Sequence, residues 1–128
     1  MRLLLDTCTF LWLVGGTPDV SSRAREAFVD PDNDVYLSAA SAWEIALKQQ
    51  LGRLRLPEPA VSFVPAQRAA HGIEPLPIDE DACLHISKLP PLHRDPFDRL
   101  LVAQALAAGL VLVTPDDLIR QYPVRTLW

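Results

Sequence analysis

Along the 128-residue chain, short apolar runs alternate with longer stretches in which apolar positions recur every three or four residues. The short runs predict β-strands at 3–6 (LLLD), 35–38 (VYLS), 73–78 (IEPLPI), 110–114 (LVLVT) and 124–127 (VRTL). The longer ones predict helices at 8–14, at 21–30 opened by Ser21 and Ser22, at 40–51 stopped by Gly52, at about 59–71, at 79–88 opened by Asp79, and at 96–108 stopped by Gly109. Pro65 should break or kink the fourth helix, because it removes an amide donor and its ring crowds the preceding turn. A short helix, DDLIRQY, follows the fourth strand.

This alternation predicts parallel pairing with helices on both faces: a three-layer α/β/α domain around a central parallel sheet of about five strands. The unbroken apolar character of LVLVT agrees, since a central parallel strand is covered on both sides. No repeat, low-complexity tract or linker interrupts the pattern, so residues 1–128 read as one domain, long enough to bury a core without covalent staples. The twelve prolines fall almost entirely at element boundaries or between Pro57 and Pro65 and do not contradict it.

Composition changes this picture little. Cys8 and Cys83 have no CxxC or Cys/His spacing and lie in apolar surroundings, so both are expected to be reduced core residues. The apolar stretch at the N-terminus is short and meets a charge at Asp6, and the longest apolar run, LLVAQALAAGLVLV, is broken by Gln104 and Gly109; no membrane span is predicted, and the cytoplasm is the expected compartment. The net charge of −4 argues against a surface that holds nucleic acid by general counterion release. Ten of the twelve basic residues are arginine, which suits bidentate phosphate contacts but is also ordinary surface composition.

The acids matter more. In a parallel sheet with right-handed crossovers, strand C-termini and helix N-termini share one edge. Asp6 ends the first strand, Glu44 lies about a turn into the helix after the second, Asp98 opens the helix before the fourth, and Asp116 follows the fourth strand. All four are expected on that edge. Singly, each has a plain structural reading: Asp6 as a helix cap, Glu44 as an i,i+4 partner of Lys48, and Asp116 with Asp117 as cap and first-turn acid; the apolar Trp43, Ile45, Ala46 and Leu47, however, predict a helix buried nearly all round, in which Glu44 is less like a solvated surface charge. Together the acids repel, by roughly 4 kcal/mol per pair at about 4 Å and an effective dielectric near 20, so a shared site needs a cation or protons. Carboxylate oxygens without cysteine or histidine ligands suit Mg²⁺ or Mn²⁺, and the chemistry that follows is metal-assisted attack of water on a phosphodiester.

Four segments carry a family likeness: LLLDTCTFLWL, SAASAWEIALKQQLGRL, HRDPFDRLLVAQAL and LVLVTPDDLIRQYPVRTLW. In this order and spacing the chain resembles, over essentially its whole length, the PIN-domain ribonucleases of the VapC toxin type. The resemblance implies a metal-dependent endoribonuclease, the toxin half of a type II toxin–antitoxin pair, which is usually homodimeric, assembles with its partner into a heterotetramer or larger, and is silenced by a VapB-type antitoxin lying in a groove near the site. Its acidic cluster maps onto Asp6, Glu44, Asp98 and Asp116 as catalytic and Mg²⁺- or Mn²⁺-binding residues.

Thr7 and Thr114 stand beside these acids and could orient a ligand, although threonines at strand ends are often structural. His93 reads as a loop bystander in preference to a phosphate contact or proton relay, and Arg94, Arg99 and Lys48 as surface or packing groups in preference to phosphate contacts. The apolar run Phe10, Leu11, Trp12 and Leu13 is divided between core and antitoxin groove. Two other classes compete. A receiver-type phosphotransfer domain would need a lysine near the fifth strand, which VRTLW lacks, and a haloacid-dehalogenase-like one a second aspartate two after Asp6, where Cys8 stands. A non-catalytic interaction module would use the same acids as caps and docking charges. Within HRDPFDR, Asp95 precedes Pro96 as a cap precedes a first-turn proline, and Asp98 is the acid that the family pattern selects.

Overall fold

The computed structural model describes residues 1–128. Five strands, β1 (Arg2–Leu5), β2 (Asp34–Ser38), β3 (Glu74–Leu76), β4 (Val111–Val113) and β5 (Thr126–Leu127), form one sheet in the order β3-β2-β1-β4-β5, and every pairing is parallel. Six α-helices surround it: α1 (Thr7–Gly15), α2 (Ser22–Val29), α3 (Ala39–Gln50), α4 (Ala60–His71), α5 (Glu80–His85) and α6 (Pro96–Ala108). Each lies within a few residues of its expected position.

The three layers follow from the two-residue period of the strands. Leu3 and Leu5 of β1, with Val35, Leu37, Val111 and Val113 beside them, enter a core closed by Phe10 and Leu13 of α1, Ala24 and Ala27 of α2, Ile45 of α3 and Phe63 and Val64 of α4. Leu4 and Leu112 point the other way, into a second core with Ala82 of α5 and Leu100 to Ala103 of α6. A sheet covered on both faces therefore needs leucine or valine at successive positions, and that is why LLL and VLV do not alternate with polar residues.

Four expectations change. The segment 73–78 contributes only three residues to the sheet, because Pro75 and Pro77 have no amide to donate and β3 is consequently a short edge strand. Helix α4 runs through Pro65; the proline is exposed, and the Val61 carbonyl that loses its intrahelical donor belongs to an exposed residue that water can satisfy. Both cysteines are exposed rather than core residues. Cys8 lies off the Phe10–Leu13 face of α1, and Cys83 belongs to a helix that buries only Ala82. Helix α3 is buried on one side only, through Ala40, Ser41, Glu44 and Ile45, and leaves Trp43 60% exposed.

Candidate active site

The sheet order runs outward from β1 in two directions, through β2 and β3 on one side and β4 and β5 on the other. Strands β1 and β4 therefore flank the point where the winding reverses. In an open α/β sheet the crevice beyond the C-terminal ends of such strands, where the connecting helices diverge, is the favoured ligand position. Asp6 is the residue after β1, and Thr114 and Asp116 follow β4.

Asp6 is both a cap and part of the crevice. Its Oδ1 accepts a hydrogen bond from the Thr9 amide at 2.8 Å, which caps α1, and its Oδ2 accepts from the Thr114 hydroxyl. Thr114 in turn accepts from the Asp116 amide at 3.1 Å, so one buried hydroxyl spans the two strand ends. Asp116 uses Oδ1 to accept from the amides of Leu118 and Ile119, opening the 3-10 turn Ile119–Gln121 that stands where a longer helix was expected. Its Oδ2 faces His93.

Asp98 sits in the first turn of α6. Asp95 caps that helix: its Oδ1 accepts from the Phe97 amide at 2.8 Å and the Asp98 amide at 3.3 Å. Of the division expected within HRDPFDR, the capping half is what the geometry shows. Glu44, only 4% exposed, accepts from Thr7 Oγ1 at 2.7 Å through Oε1 and from Lys48 through Oε2. Thr7 is also 3.0 Å from Ser41 Oγ, so α1 and α3 meet through a hydroxyl pair beside the acid.

His93 is the residue that sequence reasoning undervalued. Its Nε2 lies 3.0 Å from Asp98 Oδ2 and 3.4 Å from Asp116 Oδ2, and the ligand atoms of these three residues all fall within 4.8 Å of one another. The Asp95 amide donates to His93 Nδ1 at 3.2 Å, which leaves Nε2 to carry the ring proton. That buried Nε2 is aligned for a hydrogen bond with neither carboxylate. The signal was present: a histidine five residues before Asp98, across a helix start, can fold back over the first turn. Arg99, by contrast, is a brace, donating to Tyr122 Oη and to the carbonyls of Pro90 and Ile86. The Tyr122 hydroxyl also accepts from the His93 amide at 2.9 Å, so this brace holds the histidine loop.

The electrostatics show how tightly the acids are gathered. Burial, followed by the charges of Asp95, Glu44 and Asp6 and opposed by His93, raises the Asp98 pKa to about 7. Burial also raises that of Asp6, against the hydrogen bonds from Thr114 and Thr9 and with a further push from Asp116. Although Cys8 is partly exposed, desolvation, with the charges of Asp6 and Glu44, raises its thiol to about 11. Its hydrogen bond to Glu44 raises the pKa of Lys48, the one cation directly paired with the cluster's glutamate. Of the four expected acids, Asp98 and Asp116 come within ligand distance of a common point, joined by His93; Asp6 is tied to Asp116 through Thr114, and Glu44 stands behind Thr7.

The acids fit a hard divalent cation: Asp98 and Asp116 offer carboxylate oxygens near one another, and the Asp98 carboxyl resists ionising while nothing neutralises it; His93, with its ring proton on Nε2, stands beside them as a hydrogen-bond donor rather than as a ligand.

Comparison with known proteins bears on the family and the fold. The family model described as "PIN domain" matches residues 3–124. Ribonuclease VapC16 of Mycobacterium tuberculosis is 42% identical over 67 residues, a stretch that covers 52% of this chain and 48% of that protein; the match thus spans about half the relative's length. Among solved structures, VapBC2 from Rickettsia felis bound to a DNA fragment from their promoter superposes with a TM-score of 0.74 at 16% identity, over 99% of this chain and 98% of that one. FitAcB from Neisseria gonorrhoeae gives 0.64 at 21% identity, over 98% and 96%. A toxin-antitoxin complex from Klebsiella pneumoniae gives 0.53 at 15%, over 89% and 86%. These superpositions establish the fold, and the family model, matching all but the chain's extreme ends, establishes that it belongs to the PIN-domain family.

Proposed function

We propose that this PIN domain is a Mg²⁺- or Mn²⁺-dependent endoribonuclease that acts in the cytoplasm as the toxin of a VapBC-type toxin–antitoxin module. The observation that carries the reading is the gathering of Asp6, Glu44, Asp98 and Asp116 at the sheet's switch point with no more than Lys48 and His93 to offset them. The name of the Mycobacterium tuberculosis relative supports RNA as the substrate. Caps and docking charges alone do not explain an acid buried among other acids, which is costly unless something neutralises it.

Asp98 and Asp116 would hold the ion, with Asp6 completing the site and Glu44 adding negative charge from behind Thr7. When bound, the ion polarises the scissile phosphodiester and makes the attacking water more acidic. The chain's own residues do the rest. Thr114 fixes the rotamer of Asp6, Asp95 fixes the start of α6 and hence Asp98, and Thr7 with Lys48 fixes Glu44. His93 Nε2–H, 3.0 Å from Asp98 Oδ2 and 3.4 Å from Asp116 Oδ2, would donate a hydrogen bond to a phosphate oxygen drawn to these acids by the ion.

A VapB-type antitoxin is the proposed partner, with a homodimer of this chain as the unit it binds, in a heterotetramer or larger assembly. An apolar cavity of about 340 Å³, lined by Leu11, Val14, Leu54, Leu56 and Phe63, offers a groove for it. The run expected to serve both core and groove divides there: Phe10 and Leu13 are core, while Leu11 lines the cavity.

The test is cleavage of total RNA by the purified chain with Mg²⁺ or Mn²⁺ and with the ions chelated. Cleavage should require the ion, and Asp6→Asn and Asp98→Asn should abolish it while the circular dichroism spectrum is retained. Wild-type rates from either variant would show that the acids are caps only, and undiminished cleavage after chelation would remove the metal from the reading.

A further inference from the structure

The aromatic side chains beside the acids remain unused by the mechanism above. Trp43 immediately precedes Glu44 on α3, and Phe97 immediately precedes Asp98 on α6. The two rings meet edge to face, with centroids 4.9 Å apart and planes at 74°. This contact holds the indole against the helix start that presents Asp98. It nevertheless leaves Trp43 60% exposed, on a helix whose inward face is otherwise well covered. Arg94, four residues before Asp98, is exposed on the adjoining loop.

We propose that Trp43, buttressed by Phe97, is a stacking platform for an unpaired nucleobase of single-stranded RNA next to the scissile phosphate, an inference that rests on the ribonuclease activity proposed above. A large flat π-face, held rigid from one side and open on the other, is what base stacking requires. Its place beside the acids matters because a nucleotide's base is only a few bonds from its phosphate. The exposed Arg94 guanidinium offers the backbone a phosphate contact in a chain whose net charge is otherwise negative. Stacking also suits a negatively charged protein, since it gives affinity without the general counterion release that a charge of −4 opposes.

A second copy of the chain is the other occupant to weigh. A stable protein interface buries roughly 800 Å² on each partner and is built around several large apolar groups. Of the other exposed apolar side chains, Leu51 at the end of α3, Leu92 in the loop before Arg94 and Leu118 after Asp116 are each less exposed than Trp43, and Val29, Val61 and Leu84 lie on α2, α4 and α5. The exposed indole, braced by the ring of the residue that precedes Asp98, fits a base better than a subunit.

The test compares Trp43→Phe, which keeps a π-face, with Trp43→Leu, which keeps apolar bulk only. Each is made in an Asp98→Asn background so that RNA survives, and binding of a fluorescein-labelled, mixed-sequence RNA 12-mer is measured beside the same 12-mer with abasic sugars. Trp43→Phe should bind the normal RNA within about twofold of its parent, and Trp43→Leu about 5- to 150-fold more weakly, the range that one lost base stack spans. On abasic RNA the two variants should converge. Equal loss on both RNAs, or no loss on either, would overturn the platform. So would a change from dimer to monomer on sedimentation of Trp43→Leu, which would assign the indole to a subunit contact. Wild-type cleavage of total RNA, run alongside, separates the two failures: if it is present while Trp43→Leu binds normally, only the platform falls; if it is absent, the ribonuclease reading falls and the platform with it.

Discussion

Asp98 shows most clearly what the acid cluster does to its members. In the folded chain, burial and the surrounding acids raise its pKa from 3.8 to about 7, so the folded state keeps a proton that the unfolded state has released. A carboxyl whose pKa is raised by folding contributes stability below its unfolded value, and that contribution is lost as pH rises toward the folded value. Asp6 is shifted in the same direction. The metal-free protein should therefore lose stability between about pH 4 and pH 7. Asp98→Asn, which cannot ionise, should be more stable than wild type at pH 8 by on the order of 1–2 kcal/mol after solvent screening, with a smaller gap at pH 5. Urea unfolding followed by circular dichroism at the two pH values measures this, and a gap of the same size at both would mean that Asp98 ionises normally. The raised pKa of Asp98 could not be read from the sequence, because it depends first on how far the fold buries the carboxyl and then on Glu44 and Asp6 arriving from distant parts of the chain; only Asp95 is local. His93 was misjudged for the same reason: as a loop residue it had no visible partner until the Tyr122 hydroxyl and Arg99 fixed its loop over α6.

Helix α6 is where local sequence was most informative. Asp95, Pro96 and Asp98 specify a capped start, and Gly109, at φ 67°, specifies the stop, so both ends were legible from residue types alone. Helix α3 was less so: WEIAL reads as apolar all round, yet only one side packs, because the α6 start covers Trp43 through Phe97 alone. In β3 the apolar pattern overran the strand, since period and hydrophobicity do not register the missing amides of Pro75 and Pro77. The capping geometry of α6 yields a sharp contrast between its two aspartates. Asparagine keeps a side-chain carbonyl, so Asp95→Asn should still accept from the Phe97 and Asp98 amides and leave RNA cleavage within a few-fold of wild type. Asp98→Asn should lose at least about 100-fold, beyond the roughly 10- to 100-fold expected from removing a group that only orients a metal ligand. Asp95→Ala should lose the cap and about 1 kcal/mol of stability, and should fall between them in activity. Initial rates on one RNA, with thermal melts of each variant, decide the matter; equal losses in Asp95→Asn and Asp98→Asn would assign the first aspartate to the chemistry as well.

The strand order turns these local features into a site. Any parallel α/β chain could be recognised from alternating periods, but the order β3-β2-β1-β4-β5 decides which strand ends become neighbours, and neither periodicity nor composition specifies it. With β1 beside β4, Asp6 and Thr114 touch across 108 positions of sequence, and Asp116 is held over the same crevice. Had β2 intervened, the same residues would be unconnected caps. This topology concentrates negative charge at one edge, so folding works against repulsion that a divalent ion would relieve, and an ion that binds only the folded state must stabilise it. Stabilisation follows RT ln(1 + [ion]/Kd), about 2.7 kcal/mol at a hundredfold excess over Kd, which corresponds to a melting shift of several degrees for a domain of this size. Mg²⁺ or Mn²⁺ should therefore raise the melting temperature of the wild-type chain, while K⁺ at matched ionic strength should not. The increment should shrink in Asp6→Asn and vanish in the Asp98→Asn, Asp116→Asn double variant, even if the double variant melts higher than wild type without the ion because its repulsion is gone. Such a pattern, a more stable fold that no longer responds to the ion, distinguishes a functional charge cluster from a set of helix caps, whose removal would lower stability and leave no ion-dependent increment to lose. A shift that survives in the double variant would place the ion elsewhere on the surface and leave the switch-point acids without their cation.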